Sequence, residues 1–85
     1  MMEHKYKEHP FCKRLNRLML SAAAVQGLNN RKIAADIGIP HTNLSAYKLG
    51  YAMPSVQRLL LLADYFGVST DYLLGREGYE MEENK

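Results

Sequence analysis

The chain is poor in the residues that define several large classes of protein. Its 85 residues include one cysteine, three prolines and no tryptophan. A lone Cys12 cannot form an internal disulfide, which excludes a disulfide-stapled secreted domain and favours a cytoplasmic location. The longest apolar run covers residues 59–63, far below the roughly 20 residues needed to cross a bilayer. We therefore expect one small domain with no membrane partner and no secretory leader.

Charge is present in both signs but is distributed unevenly. The formal net charge is +2. Residues 1–76 hold ten Lys/Arg against five Asp/Glu, which is +5, whereas residues 77–85 hold one lysine against four glutamates, which is −3. A mildly basic body suits a polyanionic partner. The acidic end has few apolar anchors, so we expect a disordered tail over residues 77–85.

Helical periodicity and glycine stops organise the rest of the chain. After a polar segment expected to be a flexible arm (residues 1–9), five short helices and no strand are predicted over residues 10–76. Their expected bounds are Pro10 to Gly27, Asn29 or Asn30 to Ile37, His41 to Leu49, Val56 to Phe66, and Ser69 to Gly75. The apolar stripe of the first helix is predicted to hold Phe11, Leu15, Leu18, Met19, Ala22 and Val25. That of the fourth helix is predicted to hold Val56, Leu59, Leu60, Ala63 and Phe66.

The segment from residue 30 to residue 47 predicts two helices that cross at a steep angle. Gly38 separates them and can adopt the positive φ of a tight turn. Leu44 and Tyr47, three residues apart, should point into the core from the second of these helices. Its outward side then carries small or hydrogen-bonding side chains that a DNA major groove can accept, namely His41, Thr42, Ser45 and Ala46.

Residues over most of the chain resemble the Cro/cI-type helix-turn-helix proteins, also called the Xre or lambda-repressor-like family. The matching residues are Gly27-Leu28, Ile33-Ala34, Ile37-Gly38-Ile39, Leu44-Ser45, Tyr47, Gly50, Pro54-Ser55, Leu59-Leu60, Leu62-Ala63, Phe66-Gly67-Val68-Ser69 and Asp71-Tyr72-Leu73-Leu74-Gly75. The resemblance implies an all-α, compact five-helix bundle with a helix-turn-helix. It also implies a dimeric transcriptional regulator, expected to be a repressor, that binds double-stranded DNA with its third helix in the major groove.

The same resemblance assigns contacts to individual residues. Base contacts are expected from His41, Thr42, Ser45 and Ala46. Phosphate contacts are expected from Asn29, Asn30, Arg31, Asn43, Lys48 and Tyr51. The loop that usually carries one or two Lys/Arg in the family is here Tyr51-Ala52-Met53. The contact with phosphates is therefore expected to be either weaker or moved toward the N-terminal arm. Lys5, Lys7, Lys13 and Arg14 could make an arm-like contact of this kind, and the alternative is that they are solvated charges.

An exposed apolar pair on the fourth helix suggests a second surface. Leu61 and Tyr65 are four residues apart and lie beside the expected packed stripe, so they are candidates for a homodimer interface together with Leu73. The alternative is that a small core spreads sideways under them.

Other classes of function find little support in the sequence. There is no glycine-rich phosphate loop and no credible nucleophile–base pair, so we expect no catalytic residue and no enzyme. His4, His9, His41 and Cys12 do not form a convincing zinc set, and we expect no metal and no cofactor. The alternative to a plain regulator is an antitoxin or interaction module on the same scaffold, which binds a partner protein such as a toxin.

Overall fold

The computed structural model describes residues 4–76 as five α-helices. They are α1 (Pro10–Gln26), α2 (Asn30–Ile37), α3 (His41–Leu49), α4 (Val56–Phe66) and α5 (Thr70–Leu74). No strand occurs within this part of the chain, which confirms the prediction of an all-α bundle. None of these helices combines the length and the apolar character that a membrane span requires. The acidic tail expected over residues 77–85 lies outside the described residues.

The helix ends follow local signals in the sequence. Side-chain oxygens of Asn29, Ser55 and Ser69 accept hydrogen bonds from backbone N–H groups in the first turns of α2, α4 and α5. Pro40 precedes α3 and makes no side-chain cap. His9, for which the sequence analysis predicts no capping role, caps α1 by accepting a hydrogen bond from the Phe11 N–H at Nδ1.

The core is one cluster to which every helix contributes. α1 packs against α3 and α5, α2 packs against α3 and α4, and α4 packs against α5. The largest fully buried side chains are Phe11, Leu15, Ile33, Leu44, Leu62 and Leu73. Burying each of these contributes roughly 1.5–3 kcal/mol of transfer free energy, which makes them the main source of stability.

The predicted apolar stripes of α1 and α4 are both wrong in part. Val25 is 79% exposed on α1, and Val56 and Leu60 are 75% and 51% exposed on α4. Leu62, which was left out of the predicted stripe, is fully buried. In a run of four leucines, helical spacing alone permits two neighbouring stripes, and only the packing against α2 and α5 decides which one faces inward.

Residues 4–9 form a turn that lies against the end of α3. The Tyr6 N–H donates to the Gly50 carbonyl across 2.7 Å, and the ring of His4 contacts the ring of Tyr51 edge-on with 4.4 Å between centroids. The sequence predicts a flexible arm here and does not predict these contacts, because their partners lie more than 40 positions away along the chain.

Candidate nucleic-acid interface

The turn between α2 and α3 fixes the angle at which the two helices meet. Gly38 has a φ of 89°, and its N–H donates to the Ala34 carbonyl across 2.9 Å. The Ile39 N–H donates to the same carbonyl across 3.0 Å. Because Ile39 is only 4% exposed, its side chain anchors the turn in the core. The start of α3 is therefore held by a buried residue of the turn before it rather than by a side-chain cap.

α3 has one buried and one accessible side. Leu44 and Tyr47 are buried, and the guanidinium of Arg58 donates to the Tyr47 hydroxyl across 3.1 Å, which ties α3 to α4. On the other side Thr42 is exposed and three of the predicted base-contact residues are partly exposed, namely His41, Ser45 and Ala46. No carboxylate lies in α3, so an approaching phosphate backbone meets no negative side chain on this helix.

The first turn of α2 lies beside α3. Asn29 accepts from the Lys32 N–H across 2.8 Å, and Arg31 is exposed. The Lys48 ammonium donates to Asn30 Oδ1 across 3.4 Å, so a cation from α3 reaches the positive end of the α2 dipole. This end of a helix attracts anions, and two basic side chains strengthen the attraction.

Shared grooves connect several of the predicted contacts. Asn29, Asn30, Arg31 and His41 line one groove together. Asn30, Ser45 and Lys48 line a second. Asn43 is half-buried in the first turn of α3, and Tyr51 is half-buried behind its end. Neither Asn43 nor Tyr51 lines these two grooves. The assignment of all the base and phosphate contacts stays a prediction, for the residues that share a groove as well as for these two.

A link between α1 and α3 was missed by the sequence reading. The Asn16 amide donates to the Lys48 carbonyl across 2.7 Å, and the Cys12 thiol donates to the same carbonyl across 3.1 Å. Burial raises the pKa of Cys12, which keeps the thiol protonated and able to donate at neutral pH. A polar residue four positions after Cys12, beside the apolar stripe of α1, was the available signal.

Two of the three candidate dimer residues, Leu61 and Tyr65, are accessible, and the third is not. Leu73 is fully buried in the core cluster, so its inclusion as an interface residue is wrong: no part of its side chain is accessible in the folded chain. Leu61 is 40% exposed. Tyr65 is half-buried, and its hydroxyl donates to Asp36 Oδ2 across 3.0 Å, which joins α4 to α2.

An ion pair on α2 completes this link. The Lys32 ammonium lies 2.8 Å from Asp36 Oδ1. The hydrogen bond from Lys32, and then that from Tyr65, hold the pKa of Asp36 below its usual value. Desolvation, followed by the hydrogen bond to Asp36, raises the pKa of Tyr65. The carboxylate and the phenol are thus held in the protonation states that bond to each other.

Two short helices joined by a glycine turn, with the second exposing a small and polar side, define a helix-turn-helix domain. The helix-turn-helix family model matches residues 26–73, more than half of the chain. The chain belongs to this family, in its Cro/cI-type or Xre branch, which confirms the resemblance.

Two curated relatives come from Bacillus subtilis (strain 168). The chain is 35% identical to the HTH-type transcriptional regulator ImmR over 63 residues, which are 74% of this chain and 50% of ImmR. It is 44% identical to the HTH-type transcriptional regulator AnsR over 41 residues, which are 48% of this chain and 35% of AnsR. The chain thus spans half or less of the length of these relatives. No solved structure matches it.

Proposed function

We propose that this protein is a transcriptional regulator that binds double-stranded DNA and reads the major groove with the outward side of α3. The observation that carries the proposal is the adjacency of that side to the N-terminal end of α2, with Lys48 bonded across to Asn30. A groove reader needs both parts, since phosphate contacts set the register and base-edge contacts supply the specificity. The two similar proteins named as transcriptional regulators support the same function.

The base contacts fall to the accessible side chains of α3. Thr42 can donate or accept a hydrogen bond and offers a methyl group to thymine, and Ser45 can bond either kind of base. Ala46 suits a thymine methyl. None of these residues can make the bidentate contact that arginine makes to guanine, so each position should discriminate only modestly between bases.

Specificity would then come from two copies acting together. A homodimer reads two half-sites about one helical turn of DNA apart, and its symmetry multiplies the modest preference of each half. We propose that Leu61 lies in that dimer contact, with Tyr65 at its edge. We further propose that the regulator represses transcription in the cytoplasm, without catalytic activity, metal or cofactor.

Phosphate contacts are proposed for Asn29, Asn30, Arg31 and Lys48. Arg31 and Lys48 carry the charge, and the positive end of α2 adds its partial charge. Asn43 and Tyr51 complete the set that the family pattern assigns. Each cation that displaces a counterion should make the negative slope of log affinity against log salt steeper by nearly one unit.

Selection of bound DNA from a random duplex pool, followed by titration against salt, tests the proposal. We expect enrichment of a symmetric motif and a negative salt slope. The double variant Thr42→Glu and Ser45→Glu should lose binding, because two carboxylates would face the groove. Ser21→Glu with Gln26→Glu is the matched control, since both positions are exposed on the α1 side of a groove facing α4. Absence of duplex binding by the folded wild type, even in dilute buffer, would refute the function.

A protein partner is the second candidate, in the manner of an antitoxin that holds a toxin. The observation in its favour is that several large apolar side chains are exposed, among them Val25 on α1 and Val56 and Leu60 on α4. Coexpression with the product of an adjacent toxin-like gene tests it. A stoichiometric complex that survives gel filtration would favour this candidate, and separate elution of the two proteins would oppose it.

A further inference from the structure

Residues 4–9, which we call the N-terminal turn, have a defined place on the domain. Within the turn, the Lys7 N–H donates to the His4 carbonyl across 3.2 Å and the His9 N–H to the Tyr6 carbonyl across 3.0 Å. The Tyr6 N–H reaches the Gly50 carbonyl across 2.7 Å. The turn is thus internally bonded and also bonded to the residue that ends α3.

Gly50 shows how closely the two segments approach each other. Gly50 is buried and has a φ of 85°. A Cβ at this position would lie 2.6 Å from the backbone N and Cα of Lys7, a separation that real atoms do not tolerate. The backbone of Lys7 therefore rests directly on the end of the helix that is proposed to read DNA.

This placement brings cations to the end of α3. Lys7, Lys13 and Lys48 line one groove with Asn16 and the half-exposed Leu49, and His4 also borders it. Lys48 lines the second groove with Asn30 and Ser45 as well. Lys48 therefore borders both the groove beside the first turn of α2 and the groove that Lys7 lines.

One carboxylate also borders the groove, and it is already paired. Glu8 Oε1 lies 3.0 Å from the Lys13 ammonium, and the hydrogen bond and charge of Lys13 lower the pKa of Glu8. Glu8 and Lys13 thus offset each other. Lys7 makes no ion pair among the described residues, although its charge also contributes to the lowered pKa of Glu8, and Lys5 lies 5.8 Å from the centre of the Tyr6 ring. By contrast, Arg14, which follows Lys13 on α1, stacks over the Tyr72 ring at 4.4 Å and is directed to α5.

We propose that the N-terminal turn is a second contact for the DNA backbone, with Lys7 as its principal residue and Lys5 as an auxiliary one. The loop that follows α3 contains no Lys or Arg at residues 51–53, and the turn is held against Gly50 and Tyr51 at the start of that loop. Its lysines take the place of the missing loop cations. The inference rests on the proposed function and adds to it the segment that grips the backbone beyond the end of α3.

The test compares salt titrations of single charge removals on the selected duplex. Lys7→Gln should make the negative slope of log affinity against log salt shallower by nearly one unit. This is roughly a threefold to fourfold change in relative affinity over a fourfold change in salt concentration. The preference among base sequences should stay the same, because a phosphate contact carries no base information. Lys7→Arg should keep the wild-type slope. Arg17→Gln, at an exposed position of α1 outside the groove that Lys7 lines, is the matched control and should also keep it.

The outcomes separate this inference from the proposed function. A wild-type slope in Lys7→Gln, or an equal drop in Arg17→Gln, overturns the contact by the N-terminal turn while leaving the α3 function in place. Failure of the wild type to bind any duplex overturns both. Gly50→Ala gives an independent reading, since a displaced turn should reduce the salt slope in the same direction as Lys7→Gln, and an unchanged slope in folded Gly50→Ala opposes the inference.

Discussion

The side-chain amide of Asn16 donates to the backbone carbonyl of Lys48 across 2.7 Å and so joins the first half of α1 to the last turn of α3. Carbonyls at the end of a helix have no partner within it. The cap N–H of Gly50 donates to Ala46 and Tyr47, which leaves the Lys48 carbonyl to Asn16 and Cys12. The helix proposed to read DNA is thus bonded at its end to α1.

We expect Asn16→Ala to destabilise the domain. The Asn16 amide donates to two backbone carbonyls, those of Lys48 and Cys12, and loss of each partly buried hydrogen bond costs about 1 kcal/mol. The Lys48 carbonyl then keeps only the weaker thiol donor. Urea denaturation measures the change in the free energy of unfolding. Arg17→Ala, at the exposed neighbouring position, is the control. Equal stability of the two variants would contradict the structural role of Asn16.

Alanine at Gly50 should be more harmful than alanine at Gly38. Both positions have a positive φ, which costs an alanine roughly 1–2 kcal/mol. A Cβ at Gly38 meets no atom within 4 Å, whereas at Gly50 it meets the backbone of Lys7 at 2.6 Å. Thermal unfolding should therefore give a lower Tm for Gly50→Ala. Equal Tm values for the two variants would show that the N-terminal turn can be displaced from Gly50 without loss of stability.

Acid should weaken the link between α2 and α4. The pKa of Asp36 is lowered by Lys32 and Tyr65 in the folded chain, so its stabilising contribution is complete above the ordinary aspartate pKa and is lost as the pH falls through the lowered value. Between about pH 5 and pH 3, the Tm of the wild type should fall more than that of Asp36→Asn. Parallel curves for the two proteins would refute this contribution.

A charge at Leu61 should dissociate a homodimer. Leu61 is 40% exposed on α4, and burying a carboxylate in an apolar contact is costly. Sedimentation of Leu61→Glu should show a monomer where the wild type shows a dimer. Leu20→Glu, at a residue of α1 that is 72% exposed, should remain dimeric. An unchanged mass for Leu61→Glu would place the contact elsewhere.

The bounds of the helices could be read from the chain because each end has a local cause. Asn29, Ser55 and Ser69 cap helices with their own side chains, and glycine ends each helix in a left-handed conformation. The two sides of α3 were readable for a similar reason. Leu44 and Tyr47 are three residues apart and are the apolar residues that its spacing directs inward.

Tertiary contacts decided what local spacing left open. Among the leucines of residues 59–62, the packing of α4 on α2 and α5 buried Leu62 and left Leu60 half-exposed. It also took Leu73 into the core. The amide of Asn16 and the N-terminal turn found partners more than 30 positions away along the chain.

The sequence by itself determined the five helices, the turn at Gly38 and the chemical character of the outward side of α3, because caps, glycines and helical periodicity act within a few residues. Only the tertiary structure decided that Lys7 rests on Gly50 and that Lys48 bonds both to Asn30 and to Asn16. Such contacts depend on which surfaces meet when the helices pack, and residues far apart in the chain carry no local signal of that meeting.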